Sequence, residues 1–445
     1  MSTSTLYQTA VAPADVMATL SRHMLVDGFD IVIDLKRSQG AVIVDARSGK
    51  EYLDFFTFVA SSPIGLNHPR MVAPEFLERL TVAAINKPSN SDIYTAEQAD
   101  FLETFARVAM PASLPHAFFV EGGTLAVENA LKAAFDWKIR KNVARGYREE
   151  RGRQVIHFRQ AFHGRSGYTL SLTNTDPVKT DLYPKFPWPR VLNPTIRFPL
   201  NEESILRAQR DEEESIRQIK DAFAAHKDDI AAIIIEPIQG EGGDNHFRPE
   251  FFRALRTLAD ENEAMLIFDE VQTGIALTGK MWAFQHFVGP DMISFGKKMQ
   301  VCGFLCSKRI DEVADNVFRV PSRINSTWGG NLVDMVRAQR YLEVIDEENL
   351  VDNARTVGTY LVNALEDLGR EFPRHVSNAR GRGLFAAFDL PSTTQRNALR
   401  EKCFSDGLIV LPSGAQSVRF RPPLNVTREE IDRGLGIIKT ALATL

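Results

Sequence analysis

Short apolar runs alternate along the chain with longer stretches whose apolar residues recur every three or four positions. The runs 116–120, 155–158, 230–235, 264–268 and 292–295 read as buried strands. Each is too short for an ordinary helix, and all but 155–158 are closed by a glycine or a carboxylate. The stretches 96–108, 125–139 and 251–262 read as helices. So does the charged stretch 202–226, where Ile216, Ile219 and Phe223 sit at helical spacing. Strands alternating with helices predict an α/β fold with a mostly parallel sheet. Beyond Gly330 the pattern changes to two helices, 332–345 and 354–368, then short strands at 383–388, 408–410 and 418–420. Thr427 and Glu430 are spaced as a capping box that opens a final helix. Near the start, 31–35 and 41–44 read as strands, with a turn at Ser48-Gly49, after a mobile leader over 1–20 that ends in a short helix. This predicts a large domain over 71–331 and a smaller α+β domain over 332–445, to which the N-terminal segment 1–70 contributes strands.

Composition narrows the function without naming it. The chain has 445 residues, 44% hydrophobic and 25% charged, with a formal net charge of -4. That balance gives no reason to expect nucleic acid or an anionic membrane as a partner. The three cysteines, Cys302, Cys306 and Cys403, form no C-x-x-C pair, which speaks against a disulfide framework and a zinc knuckle; no metal is expected. With neither a signal-peptide pattern at the start nor an apolar run approaching the ~18 residues of a spanning helix, a cytoplasmic enzyme is expected.

Two strand ends carry the candidate chemistry. The 292–295 run ends in Gly296-Lys297-Lys298, and the 264–268 run ends in Asp269-Glu-Val-Gln272. Burial lowers an ammonium's pKa and frees the amine to attack a carbonyl. A buried carboxylate at a neighbouring strand end is the second group that pyridoxal phosphate requires: the lysine takes the aldehyde as a Schiff base, and the aspartate keeps the pyridine nitrogen protonated. Gly122-Gly123-Thr124, between a strand and a helix, offers backbone N–H groups to a phosphate, or is an ordinary turn. Thr327 is a second phosphate candidate, or a turn residue. Phe162 suits stacking on a flat ring, or the core. Arg165 and Arg419 suit carboxylates; strand alternation puts Arg419 and Arg421 on one face and does not say which reaches a site. Glu241, in a glycine-rich loop, is a loop anchor or an arginine's partner.

In this order the segments Glu121-Gly-Gly-Thr, Phe162-His-Gly-Arg, Glu236-Pro-Ile-Gln-Gly-Glu, Phe268-Asp-Glu-Val-Gln-Thr-Gly, Gly296-Lys, Thr327-Trp-Gly-Gly-Asn and Arg419-Phe-Arg-Pro-Pro form a specific set. The chain resembles the class III pyridoxal-phosphate aminotransferases of fold type I, over roughly Met24 to Leu442. Further segments, among them Asn86-Lys-Pro-Ser-Asn-Ser-Asp-Ile-Tyr94 and Gly296-Lys-Lys-Met-Gln-Val-Cys-Gly, resemble the branch that acts on L-lysine. The resemblance implies that Lys297, the first of its pair, holds the cofactor and moves the proton. Asp269 meets the ring nitrogen, Gln272 the ring hydroxyl, and Phe162 the ring face. Gly123 and Thr124 hold the phosphate, with Thr327 reaching over from a partner subunit, and Glu236 belongs to the cofactor pocket. Arg165, Arg419, Glu241, Val59 and Asn325 are implied in substrate binding. A homodimer with shared active sites follows. The expected reaction takes L-lysine and 2-oxoglutarate to 2-aminoadipate 6-semialdehyde and glutamate, in two halves; the alternative donors are ornithine, 4-aminobutyrate and diaminobutyrate. One departure is local: Val301-Cys302-Gly303 stands where many relatives carry a Gly-Gly pair.

Overall fold

The computed structural model describes residues 10–445, so the first nine residues of the expected leader lie outside the described residues; the short helix at its end spans Val16–Ser21. Among the described residues fourteen strands run in chain order. They are β1 (Val42–Val44), β2 (Glu51–Asp54), β3 (His116–Val120), β4 (Gln154–Phe158), β5 (Arg190–Val191), β6 (Ile230–Ile235) and β7 (Met265–Asp269). Then come β8 (Met292–Phe295), β9 (Cys302–Cys306), β10 (Ser377–Arg382), β11 (Phe385–Asp389), β12 (Leu408–Ile409), β13 (Leu411–Ser413) and β14 (Ser417–Phe420).

The main sheet has seven strands in the order β3-β9-β8-β7-β6-β4-β5. β8, β7, β6, β4 and β5 pair in parallel, while β9 runs antiparallel to both of its neighbours. Two reversals restore direction, so β3 points the same way as β8. The central strands are buried on both faces, as their unbroken apolar sequence requires. The carboxyl ends of β3, β4, β6, β7 and β8 therefore open on one edge, where ligands bind in open α/β sheets.

Two smaller sheets flank that edge. β10-β11-β14-β13 is antiparallel, and β1-β2-β12 joins the two ends of the chain, since β12 pairs in parallel with β2 through Leu408 and Leu53. The capping box forms with both arms: Glu430 N donates to Thr427 Oγ1 at 3.2 Å, and Thr427 N donates to Glu430 Oε2 at 2.9 Å.

Several expectations are corrected. The 31–35 run is not a strand: only Ile33 makes an isolated bridge, to Asp45, while Ile31 and Ile33 pack into a satellite cluster with Phe29 and Tyr52. Helices at Pro74–Ile85, Gly167–Leu172 and Thr393–Ser405, and strands β2, β5, β9, β10 and β13, were not anticipated. No helix among the described residues is long and apolar enough to cross a membrane.

Candidate active site

The strand ends converge on a cavity of about 470 Å³ lined by Gly123, Thr124, Phe162, Arg165, Glu236, Glu241, Asp269, Gln272, Lys297 and Arg419, among others. Val59 reaches it from the N-terminal segment, and Leu411 and Pro412 from β13.

The two lysines part company at the turn after β8. Lys297 itself has φ of 50°, and the turn sends the neighbouring side chains in different directions. Lys297 lines the cavity, its Nζ donating at 3.3 Å to Val59 O. Lys298 is 2% exposed and gives its Nζ to Gln272 O at 2.9 Å and Ala60 O at 3.3 Å. Burial, aided by the Arg419 guanidinium, brings Lys297 down to about 8. Burial pushes Lys298 well below the ordinary lysine range. A depressed amine facing the cavity is the one suited to carbonyl chemistry.

The Val59 and Ala60 carbonyls among these acceptors belong to an unusual backbone. Thr57, Phe58, Val59 and Ala60 take consecutive φ values of 42°, 52°, 59° and 64°. Left-handed backbone costs roughly 1–2 kcal/mol per residue, and more for β-branched side chains such as Thr57 and Val59. The turn is held at its base. Asp54 Oδ1 accepts from Phe56 N at 2.8 Å and Thr57 N at 2.7 Å, and Thr57 Oγ1 donates to Arg421 O at 2.7 Å.

Opposite the lysine, Asp269 ends β7 and is 5% exposed. Its Oδ1 accepts from Val271 N at 3.1 Å, and its Oδ2 lies 2.8 Å from His163 Nδ1. His163 was not singled out in the sequence, although it follows Phe162 in the same loop. Its Nε2 is buried without a hydrogen-bond partner. Glu236 lines the cavity with its oxygens committed to backbone: Oε1 accepts from Phe162 N at 2.9 Å and Oε2 from Gly240 N at 3.0 Å. Burial pushes this carboxyl up to about 7, against the pull of His163. Glu236 thus braces the loop that carries Phe162.

Gly123 and Thr124 open the Gly123–Ala144 helix, and Gly122 at φ of 96° supplies no capping side chain. The first-turn N–H groups thus have no side-chain cap and suit an anion. Gly164, at φ of 135°, lets the Phe162 loop lie against this helix start; a Cβ there would stand 2.4 Å from Thr124 Oγ1.

The arginine left undecided by strand alternation is decided by its partners. Arg419 lines the cavity and donates through Nη2 to Glu241 Oε2 at 2.8 Å. Arg421 is fully buried, bonded to Asp244 Oδ1 at 2.7 Å and stacked 3.4 Å over the Phe385 ring. Both arginines reach Gln272 Oε1, at 3.4 Å from Arg419 and 3.0 Å from Arg421. Arg165 stands over Phe162, its guanidinium carbon 5.9 Å from the ring centroid. Thr327 and Asn325 do not line this cavity; both are exposed in the loop before Gly330, so Asn325 does not meet substrate from its own chain.

The family model Aminotransferase class-III matches residues 25–442. The chain belongs to the class-III aminotransferases. L-lysine-epsilon aminotransferase of Mycobacterium tuberculosis is 57% identical over 432 residues, covering 97% of this chain and 96% of that protein. The L-lysine-epsilon aminotransferase of Streptomyces clavuligerus is 49% identical over 434 residues, covering 97% and 94%. The solved structure of lysine aminotransferase from M. tuberculosis superposes with a TM-score of 0.96 at 56% identity, covering 98% of this chain and all of that one. The α/β fold is that of fold type I. This class-III aminotransferase uses pyridoxal 5'-phosphate, and the cavity fits that group. It offers a lysine of lowered basicity, a buried carboxylate, uncapped helix N–H groups, and the Phe162 ring at its wall.

Proposed function

We propose that the protein is an L-lysine 6-transaminase that passes the ε-amino group of L-lysine to 2-oxoglutarate, giving 2-aminoadipate 6-semialdehyde and glutamate. Similarity to the L-lysine-epsilon aminotransferases supports the donor, and the 2.8 Å pair between Glu241 and Arg419, inside a cavity that also holds Lys297 and Arg165, supports a site that serves two unlike substrates. Lysine reacts at its terminal amine, so its carboxylate lies far from the chemistry. Glutamate and 2-oxoglutarate carry a carboxylate one carbon from it. An arginine fixed beside the reacting carbon suits the second pair and would meet lysine as an unpaired charge, which costs several kcal/mol in a closed site.

Glu241 resolves the conflict by its position. With L-lysine bound, Glu241 neutralises Arg419 and Arg165 holds the distant carboxylate. With 2-oxoglutarate bound, Glu241 withdraws, Arg419 takes the α-carboxylate and Arg165 the γ-carboxylate. Bound in the cavity, pyridoxal phosphate supplies an electron-withdrawing ring that acidifies the C–H beside the amine. Lys297 would anchor the cofactor and carry that proton. Asp269 would hold the ring nitrogen protonated, with His163 orienting the carboxylate. Gly123 and Thr124 would hold the phosphate, and Phe162 and Gln272 would meet the ring face and the ring hydroxyl.

The same reading makes the protein a cytoplasmic homodimer in which Thr327 and Asn325 serve the neighbouring site. The exposed loop that carries them is stitched to 86–94, where Ser91 Oγ donates to Ser326 O at 2.7 Å and Asn90 N donates to Trp328 O at 3.2 Å. Ile93 and Tyr94 stand 71% and 77% exposed beside it, apolar surface that a second copy would cover. The large unit over 71–331 would carry the cofactor, while 332–445 and the N-terminal segment, of which 10–70 is described, form the smaller unit that adds Val59, Leu411, Pro412 and Arg419 to the cavity wall.

Mixing the enzyme with L-lysine alone should convert the bound cofactor to its aminated form, followed by absorbance. Faster conversion by ornithine, 4-aminobutyrate or diaminobutyrate would move the assignment to another donor. Within the same assay, Glu241→Ala should slow the L-lysine half-reaction at least about tenfold more than the glutamate half-reaction, as removal of one partner from a desolvated charge pair implies. Arg419→Ala should show the reverse, and Arg165→Ala should impair both. Equal losses for Glu241→Ala would leave the pair as a static loop brace.

A further inference from the structure

Glu241 is shared between two cations, and only one of them lines the cavity. While Oε2 accepts from Arg419, Oε1 accepts from Lys179 Nζ at 2.6 Å. Lys179 ends the short turn Pro177–Lys179, and its side chain is 15% exposed. Its ammonium stands 5.6 Å from the centroid of the Phe162 ring. The lysine is therefore fixed at the rim, against the carboxylate on one side and the aromatic face on the other. Burial works to raise the Glu241 pKa, but Arg419 and Lys179 together outweigh it and hold the carboxyl below its ordinary value.

The two bonds use different oxygens, and that has a consequence for release. A carboxylate leaving Arg419 inside a partly closed pocket would otherwise stand unpaired, which is costly. Here one oxygen can give up Arg419 while the other keeps Lys179. We propose that Lys179 is a positioning residue, the tether that holds Glu241 when it frees Arg419 for a dicarboxylate. The proposal rests on Glu241 acting as the switch between substrates. Lys179 lowers the cost of the open state and leaves the Glu241–Arg419 pair that L-lysine needs intact. Its weight falls on the 2-oxoglutarate side of the cycle.

The test uses the holoenzyme and measures the two half-reactions separately. Lys179→Met should raise the KM for 2-oxoglutarate about tenfold, the scale of one hydrogen bond to a charged group, while the L-lysine half-reaction falls much less. Lys179→Arg, which keeps a donor cation, should restore most of the loss. In a Glu241→Gln background, Lys179→Met should add little, because no carboxylate remains to be tethered. Equal damage to both half-reactions would overturn the proposal. So would an undiminished 2-oxoglutarate penalty in the Glu241→Gln background, which would make the ammonium a direct substrate ligand. A neutral Lys179→Met beside an asymmetric Glu241→Gln would remove the tether and keep the switch. A symmetric Glu241→Gln would remove both.

Discussion

Lys297→Ala should abolish turnover, by more than about 10³-fold, the scale on which enzymes lose rate when a nucleophile or general base is removed. The variant should still fold and hold pyridoxal phosphate more weakly. The Lys297 side chain faces a cavity, and its one hydrogen bond to protein is the 3.3 Å contact with Val59 O. Removing it opens no hole in the core. Lys298→Ala sets the contrast. That amine bridges Gln272 O and Ala60 O, tying the left-handed turn 57–60 to the segment after β7. Losing it leaves the buried Ala60 carbonyl short of a donor, at roughly 1–3 kcal/mol, and the half-buried Gln272 carbonyl with it. Lys298→Ala should therefore lower the melting temperature and retain turnover. Turnover and thermal unfolding on the two variants check this. Substantial activity in Lys297→Ala with loss in Lys298→Ala would shift the assignment by one residue.

The lysine pair also marks how far the sequence alone reaches. Both residues follow the same buried strand, and nothing in their spacing separates them; only the family resemblance favoured the first. The separation comes from the turn at φ of 50° and from carbonyls supplied by residues 238 positions away in the chain. Strands buried on both faces were legible because each is an unbroken apolar run: β6 and β8 have the limits that the pattern predicted. The Ala96–Val108 helix was legible because its apolar face turns to the core while its other face stays polar.

Elements whose burial is mixed were not legible. β10, Ser377–Arg382, carries polar and glycine residues and owes its place to pairing with β11. The Pro74–Ile85 helix leaves Leu77, Val82 and Ile85 exposed, so its apolar positions do not fall on one stripe. The 31–35 run misled because its isoleucines are apolar for a local cluster, not for a sheet. In the site, the strand ends drew attention to Asp269 and to the Lys297–Lys298 and Arg419–Arg421 pairs, without choosing within either pair. His163 and Lys179 did not stand out, since a histidine inside a loop motif and a lysine on a surface turn look ordinary until Asp269 and Glu241 stand opposite them.

Asp269→Asn should cost roughly 10²–10³ in rate, the scale of removing one preorganised electrostatic partner, and far less in stability. Asparagine keeps the shape, and its remaining carbonyl can still accept from Val271 N. What it loses is charge. A neutral amide does not hold a pyridine nitrogen protonated, so the ring withdraws electrons less strongly when the C–H proton must leave. The neighbouring imidazole cannot replace the carboxylate: His163 Nδ1 is turned to Asp269 Oδ2 and is carried on a loop braced by Glu236. On the proposed reading Asp269 serves the ring and not a substrate's tail, so the loss should be of similar size in the L-lysine and the glutamate half-reactions. That symmetry separates it from Glu241→Ala, whose loss should fall mainly on L-lysine. Single-turnover rates for both halves, with thermal unfolding of the variant, make the comparison. A near-wild-type rate in Asp269→Asn would remove the aspartate from the chemistry. A loss confined to one half-reaction would make it a substrate contact and not the partner of the ring.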